Sequence, residues 1–401
     1  MNPAPQPVYP LSGVRVLDLS RVLAGPWATQ MLADMGADVL KIEHPKGGDD
    51  TRAWGPPFVQ DGEGNPVEAA YYFCANRSKR SLALDFSKPE GAALLRRLAL
   101  RADILVENYK LGGLAKYGLD YASLHEIHPK LVYCSITGFG QTGPHAQRPG
   151  YDYIIQAMSG LMSVTGEPQG PPMKVGLAVA DLFAGLYGAF AILAALRHAE
   201  RTGQGQHLDV ALLDCQIAAL ANQTQNYLTS GTAPGRLGNA HPNLTPYGPF
   251  RAKDGQVIVA VGNDGQFRAL CAAIGAPALS QEARFVDNRA RLANRMALED
   301  ALNALMSVQT CAHWLESLNA AGVPCGPIQT LAQALEDPHV KARALLAETQ
   351  REDGARARLV RHPVIFSETP ARSPVAPPRL GSDGPAALED WLGVGAQETG
   401  P

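Results

Sequence analysis

Val14-Arg-Val-Leu-Asp18, then Trp27-Ala-Thr-Gln-Met-Leu-Ala-Asp-Met35 closed by Gly36, then Val39-Leu-Lys-Ile-Glu43 decide the architecture. The first and third pieces are short apolar runs of strand length, and the middle one is helical, with a glycine where a helix stop is wanted. A strand, a helix and a strand in this spacing form one parallel crossover unit. The pattern continues outward. Ser81–Asp85 reads as extended chain, and Pro89 opens a helix that runs to Leu100, proline being favoured at a first helical turn. Ile104–Glu107, Leu131–Ser135 and Gln206–Val210 read as further strands, with a long helix over Asp181–Arg201 and another over Leu212–Tyr227. An α/β layered domain with a parallel sheet follows. Ligands of such sheets gather beyond the carboxyl ends of the strands, so the polar and glycine-rich residues just after them carry the candidate chemistry.

Thr229–Pro249 changes character to Gly, Pro and Asn and reads as a linker. After it, Phe250–Val261 reads as a hairpin turning at Lys253-Asp254-Gly255, and helical patterns fill 265–320. The expected division is residues 1–228 for the amino-terminal part of a large domain, 229–249 for a linker, 250–325 for a small α+β domain, and 326–401 for a return segment completing the large one. The last forty residues are proline-rich, show few helical signals before Ala386, and are expected to wrap the first domain.

Composition narrows the function. Lys and Arg number 35 against 38 Asp and Glu. This near balance argues against nucleic acid as the partner. Cys74, Cys134, Cys215, Cys271, Cys311 and Cys325 contain no CxxC pair, so neither a zinc ribbon nor a disulfide scaffold is expected. Ten histidines show no HxH or HExxH spacing, and no metal is expected. The opening Met1–Pro7 is polar and unlike a signal peptide. The longest uncharged apolar run, Leu182–Leu196, is short for a membrane span and reads as a tightly packed buried helix. No membrane is expected, and the expected location is the cytoplasm.

Two motifs require a decision. Gly138-Phe-Gly140-Gln-Thr-Gly143 matches GxGxxG, but a dinucleotide turn must open into a helix, and Pro144-His-Ala-Gln-Arg-Pro149-Gly150 follows instead. NAD is not expected, and the stretch reads as a loop near a ligand. Asp181 precedes a long apolar run, where aspartate is a good helix N-cap. The same placement also suits a covalent nucleophile, held ionised by free backbone N–H groups that would stabilise a developing oxyanion. Lys41, Arg52, Arg77, Lys79, Arg80, Lys110, Lys116 and Arg148 flank strand ends, and several cations on one sheet edge would suit a phosphorylated ligand.

Leu11-Ser-Gly-Val-Arg-Val-Leu-Asp-Leu-Ser-Arg-Val-Leu-Ala-Gly-Pro-Trp-Ala28, Gly36–Glu43, Asn76-Arg-Ser-Lys-Arg-Ser-Leu-Ala-Leu-Asp85, Val106-Glu-Asn108, Gly150–Gly160, Asp181 and Gly203–Val210 resemble the class III CoA-transferases, the formyl-CoA transferase family. Gly48–Phe58 and Cys134–Pro144 look most like its succinyl-CoA:glutarate branch. The resemblance implies a Rossmann-like large domain built from both chain ends, a smaller domain between, and an interlocked homodimer. It implies that CoA moves from an acyl-CoA, such as succinyl-CoA, to a free carboxylic acid, such as glutarate, through anhydride and thioester intermediates on Asp181. It also implies CoA contacts at Leu23, Ala24, Leu84, Asn108, Lys116 and Tyr151, with His44 standing where relatives carry arginine and Arg148 joining as a nearby cation. Leu23 replaces a glutamine of formyl-CoA transferases, favouring a longer acyl chain. Gly262 and Asn263 fall where the family has a flexible glycine-rich loop, and Arg52 or Arg77 would hold a distal carboxylate. The racemase branch pairs the aspartate with a histidine that aligns with Tyr151, a poor base at neutral pH. A non-catalytic CoA-binding protein would not need Asp181.

Overall fold

The computed structural model describes residues 8–393, and the polar opening Met1–Pro7 lies outside them. Two compact units divide the chain. The first takes residues up to Leu161, Val175–Ala221 and everything from Lys341 onward. Its central sheet consists of β1 (Arg15–Asp18), β2 (Asp38–Glu43), β3 (Arg80–Ala83), β4 (Ile104–Glu107), β5 (Val132–Thr137) and β6 (His207–Ala211). All are parallel, and their spatial order is β3-β2-β1-β4-β5-β6. Its helices include α1 (Ala24–Asp34), α2 (Pro89–Ala99), α3 (Tyr121–Ile127), α4 (Asp152–Met158), α5 (Val179–Thr202) and α6 (Leu212–Ala219). One core joins α1 and α5 to one face of the sheet through Val16, Val39, Ile104, Ala28, Ala184 and Ile192. The other joins α2 and α3 to the opposite face through Leu17, Leu40, Leu105, Leu95 and Leu124. Apolar residues on both faces of each strand are what a doubly covered parallel sheet requires.

The carboxyl-terminal tail crosses this unit. Ser78 N–H donates to the Val375 carbonyl, Gly381 N–H to Ser81 Oγ, and helix Gly384–Leu392 buries Leu388 and Trp391 in the second core. An antiparallel pair, Leu346–Gln350 with Arg356–Val360, precedes it and was not expected.

The second unit comprises Met162–Lys174 and Asn222–Val340, so three boundaries shift. The helix expected over Leu212–Tyr227 breaks at Ala221, whose φ of 43° cannot continue it, and a separate helix spans Asn222–Ser230. The 229–249 linker is therefore flanked by a helix and by the strand Tyr247–Ala252, both of this unit. The return comes after Val340 instead of at 326, because Cys325–Pro327 pairs with strand Gly255–Ala260. The hairpin Tyr247–Ala252 with Gly255–Ala260 forms as read, over a core of Phe250, Val259, Phe267, Leu298 and Trp314.

α5 is long and apolar enough to cross a membrane, judged by length and composition alone, with mean hydropathy 1.9. It is not buried all round. Its small residues pack on α1 and the sheet, while Leu186, Tyr187 and Phe190 are exposed, Phe190 by 74%. The closest approach is at Gly185, where an added Cβ would stand 2.7 Å from the Ala24 carbonyl oxygen and 3.0 Å from the Trp27 ring. Gly185→Ala is therefore expected to push α1 off α5, costing about 1–3 kcal/mol in a denaturant melt and lowering turnover.

Candidate active site

In the order β3-β2-β1-β4-β5-β6 the winding reverses between β1 and β4, and the crevice beyond their carboxyl ends is the natural ligand site. The segment after β1 is clamped by the segment after β4. Asn108 Oδ1 accepts from Arg21 N–H at 2.9 Å, and Asn108 Nδ2 donates to the Arg21 carbonyl at 2.7 Å. This clamp brings Leu23 and Ala24, at the start of α1, to the crevice wall. The α1 N-cap, Leu23, offers no side-chain acceptor.

Asp181 does not cap α5. The cap is Ala178, and Asp181 lies in the first turn. The capping acceptor comes from α4 instead, where Asp152 Oδ1 takes the Ala180 N–H at 2.8 Å and is itself held by Gln156 Nε2 at 2.7 Å. The Asp181 carboxylate is left with no hydrogen bond among the described residues and half-buried. Burial, aided by the negative charge of Asp152, pushes its pKa up to about 7. The expectation that the helix terminus holds it fully ionised is thus corrected, because burial and the neighbouring Asp152 charge both disfavour the ionised form.

Asp181 shares a cavity of about 210 Å³ with Leu23, Ala24, Asn108, Arg148 and Tyr151. A wider cavity of about 470 Å³ is lined by His44, Leu84 and Lys116. Arg21, Tyr109 and Lys110 line both, so the two form one path. Every residue expected to contact CoA therefore borders a single trough, with Asp181 and Arg148 at one end, Arg21 and Lys110 along both parts, and His44 and Lys116 among Glu43, Asp49 and Asp85 at the other. His44 and Lys116 are exposed, and Lys116 Nζ stands 4.7 Å over the Tyr117 ring. Arg148 rests over Phe139 at 5.3 Å. The glycine-rich stretch folds back on itself, with Gly138 and Gly150 so close that a Cβ on Gly138 would stand 2.5 Å from the Gly150 Cα. That crossing brings Gln147–Tyr151 to the cavity wall.

The two arginines assigned to a distal carboxylate are already committed. Arg52 is buried, donates to Glu43 twice at 2.8 Å, to Glu68 at 2.8 Å and to the Tyr72 hydroxyl at 2.6 Å. Arg77 forks onto Asp34. Their charge is legible in the sequence, but their partners are not. Gly262 and Asn263 lie in the second unit and build a helix start instead of a free loop. Asn263 Oδ1 accepts from Gln266 N–H at 2.9 Å, and Gly262 N–H donates to Gln266 Oε1 at 2.8 Å. Sequence reasoning missed Arg21, Tyr109 and Asp152. The position of Arg21 and Tyr109 just beyond strand ends was the available signal. Among the described residues no group of three His, Cys, Asp or Glu side chains is placed to hold a metal.

The model of CoA-transferase family III matches residues 11–384. A succinate–glutarate CoA-transferase of Agrobacterium fabrum is 54% identical over 95% of this chain and 95% of its own. The human succinyl-CoA:glutarate CoA-transferase is 39% identical over 96% of this chain and 86% of its own. Among solved structures, a CAIB/BAIF family protein from Brucella suis superposes with a TM-score of 0.84 at 49% identity, covering 96% of this chain and 99% of the other. With the family model spanning nearly the whole chain and these relatives aligned end to end, the chain belongs to CoA-transferase family III.

Proposed function

We propose that this enzyme exchanges CoA between succinyl-CoA and glutarate, with Asp181 as the covalent carrier. The observation that carries the reading is a carboxylate with no hydrogen bond among the described residues, in a trough lined by the cations Arg21, Lys110, Arg148 and Lys116. The activities named for the two relatives supply the acids. The Asp181 carboxylate attacks the succinyl thioester carbonyl, forming a mixed anhydride and freeing the CoA thiolate. The thiolate attacks the aspartyl carbonyl, giving aspartyl-CoA thioester and succinate. Glutarate attacks that thioester to form a second anhydride. The thiolate returns to the glutaryl carbonyl, releasing glutaryl-CoA and the Asp181 carboxylate. Bond energy passes between thioester and anhydride throughout, so no ATP is consumed. Lys110, Lys116 and Arg21 stand where CoA phosphates would find cations, and apolar Leu23 stands by the acyl carbon. Tyr151 at the cavity wall offers no imidazole for α-proton exchange.

Mass spectrometry of the thioester pool tests this. The enzyme is incubated in D₂O with succinyl-CoA, a 2-methylacyl-CoA and a panel of free acids. A new glutaryl-CoA peak is expected. Deuterium in the 2-methylacyl group with no new thioester would assign racemisation instead.

The pH dependence follows from the raised Asp181 pKa. Only the carboxylate attacks, so kcat/KM should rise with pH through a single deprotonation centred at about 7. Below the midpoint it should fall about tenfold per pH unit. A profile flat from pH 5 to pH 8 would contradict the assignment.

The active species is proposed to be a homodimer with interlocked subunits. Leu186, Tyr187 and Phe190 on α5, with Tyr153, Ile154 and Met158 on α4, leave apolar side chains exposed that a partner would cover.

A further inference from the structure

The turn that carries the acyl end of the trough is strained. Val22, between β1 and α1, has a φ of 72°. That is the left-handed region, which a β-branched residue almost never enters and in which it persists only where its surroundings over-determine it. Val22 lines the cavity together with Leu23 and Asp181. Its N–H lies 3.3 Å from each oxygen of Asp49. Asp49 is itself fixed. Its Oδ2 stands 2.9 Å from Lys41 Nζ, and both side chains are fully buried. Lys41 Nζ also donates to the Ser20 carbonyl at 2.7 Å, gripping the same turn from its other end. Oδ1 of Asp49 accepts from the N–H and hydroxyl of Thr51 at 3.0 and 2.8 Å.

We propose that Asp49, braced by Lys41, is a positioning residue of the transfer reaction, holding the Val22 turn in its left-handed form so that Leu23 and the start of α1 stay in register with Asp181. The proposal rests on the reading of Asp181 as the acyl carrier. A second buried pair, Asp18 with Lys79, holds the same turn at the Ser20 N–H, and the Asp49–Lys41 pair is the one that reaches the strained Val22. Released from it, Val22 relaxes to negative φ, and the acyl wall moves with it.

A double-mutant cycle tests the coupling. Asp49→Asn keeps the shape, but its amide cannot accept from Thr51 and Val22 and face Lys41 with oxygen on both arms. Glycine at 22 takes a φ of 72° without strain and needs no brace. In the native background Asp49→Asn should lower kcat/KM about 100-fold, the scale of an ångström's misplacement, with most of the loss in kcat. In a Val22→Gly background the same change should cost less than about tenfold, the shortfall being the coupling. Should Asp49→Asn fail to fold, the charge-neutral pair Lys41→Met with Asp49→Ala takes its place, with the same expectation in both backgrounds. An effect under about threefold, or one equal in both backgrounds, would overturn the proposal. Asp181→Asn run alongside separates the two readings. An active Asp181→Asn enzyme removes the reading of the site and the proposal with it. An inactive one beside a small or additive Asp49 effect removes the proposal alone.

Discussion

Asp181→Asn is expected to abolish CoA transfer while leaving the protein folded. The neutral amide is a poor nucleophile, and loss of a nucleophile costs about four orders of magnitude or more in turnover. The fold should be indifferent because the Asp181 side chain makes no hydrogen bond among the described residues, and the capping acceptor of α5 is Asp152. Stability adds a second signature. The pKa of Asp181 is raised, so the folded state holds its proton more tightly than the unfolded chain does. The favourable contribution is complete below the ordinary carboxylate range and is lost as pH rises towards about 7. The amide never acquires the unfavourable charge. Asp181→Asn should therefore melt higher than the native enzyme at pH 8 and level with it at pH 4, in the pattern of an active site that trades stability for function. Retained turnover, with deamidation excluded by intact mass, would remove Asp181 from the chemistry.

Arg52→Met should have the largest effect on stability. The guanidinium joins Glu43, Glu68, the Tyr72 hydroxyl and the Pro378 carbonyl, and lies 3.8 Å over the Tyr72 ring. Removing it leaves Glu43 buried with only Ser81 and the Asp49 N–H as hydrogen-bond donors. Breaking one side of a buried pair costs about 3–5 kcal/mol, far more than the net worth of the intact pair. Pro378 belongs to the tail, so the loss should also loosen the return segment from the sheet. Denaturant melts measure this directly. A native-like melt together with a raised KM for the free acid would return Arg52 to the role of carboxylate anchor.

These two residues show what the sequence could tell and what it could not. Strand runs such as Ile104-Leu-Val-Glu107 announce themselves because a strand buried on both faces must be continuously apolar. Parallel pairing and a ligand site beyond the carboxyl ends of the strands follow from the alternation with helices, but the strand order and the point where it reverses do not. Asp181 stood out because a carboxylate just before a long apolar run sits at a helix N-terminus, a place that suits an N-cap and a covalent nucleophile alike. Partners stayed hidden. Nothing local links Arg52 to Pro378, 326 positions away, or hands the capping of α5 to Asp152. The division into units was blurred for a similar reason. Cys325–Pro327 reads as returning chain until its pairing with Gly255–Ala260 is seen. The left-handed Val22 has no signal in sequence at all, since valine is the residue least expected there.

Isotope transfer tests the covalent role of Asp181 most directly. Glutarate labelled with ¹⁸O in both carboxylates is turned over with succinyl-CoA, and the peptide containing Asp181 is weighed. The bridging oxygen of the second anhydride stays on the aspartate when CoA departs with the glutaryl group, and it leaves with succinate in the next cycle. The account predicts ¹⁸O in the Asp181 carboxylate and then in released succinate. Labelled succinate beside an unlabelled Asp181 peptide would mean that the acids exchange CoA directly, without the aspartate.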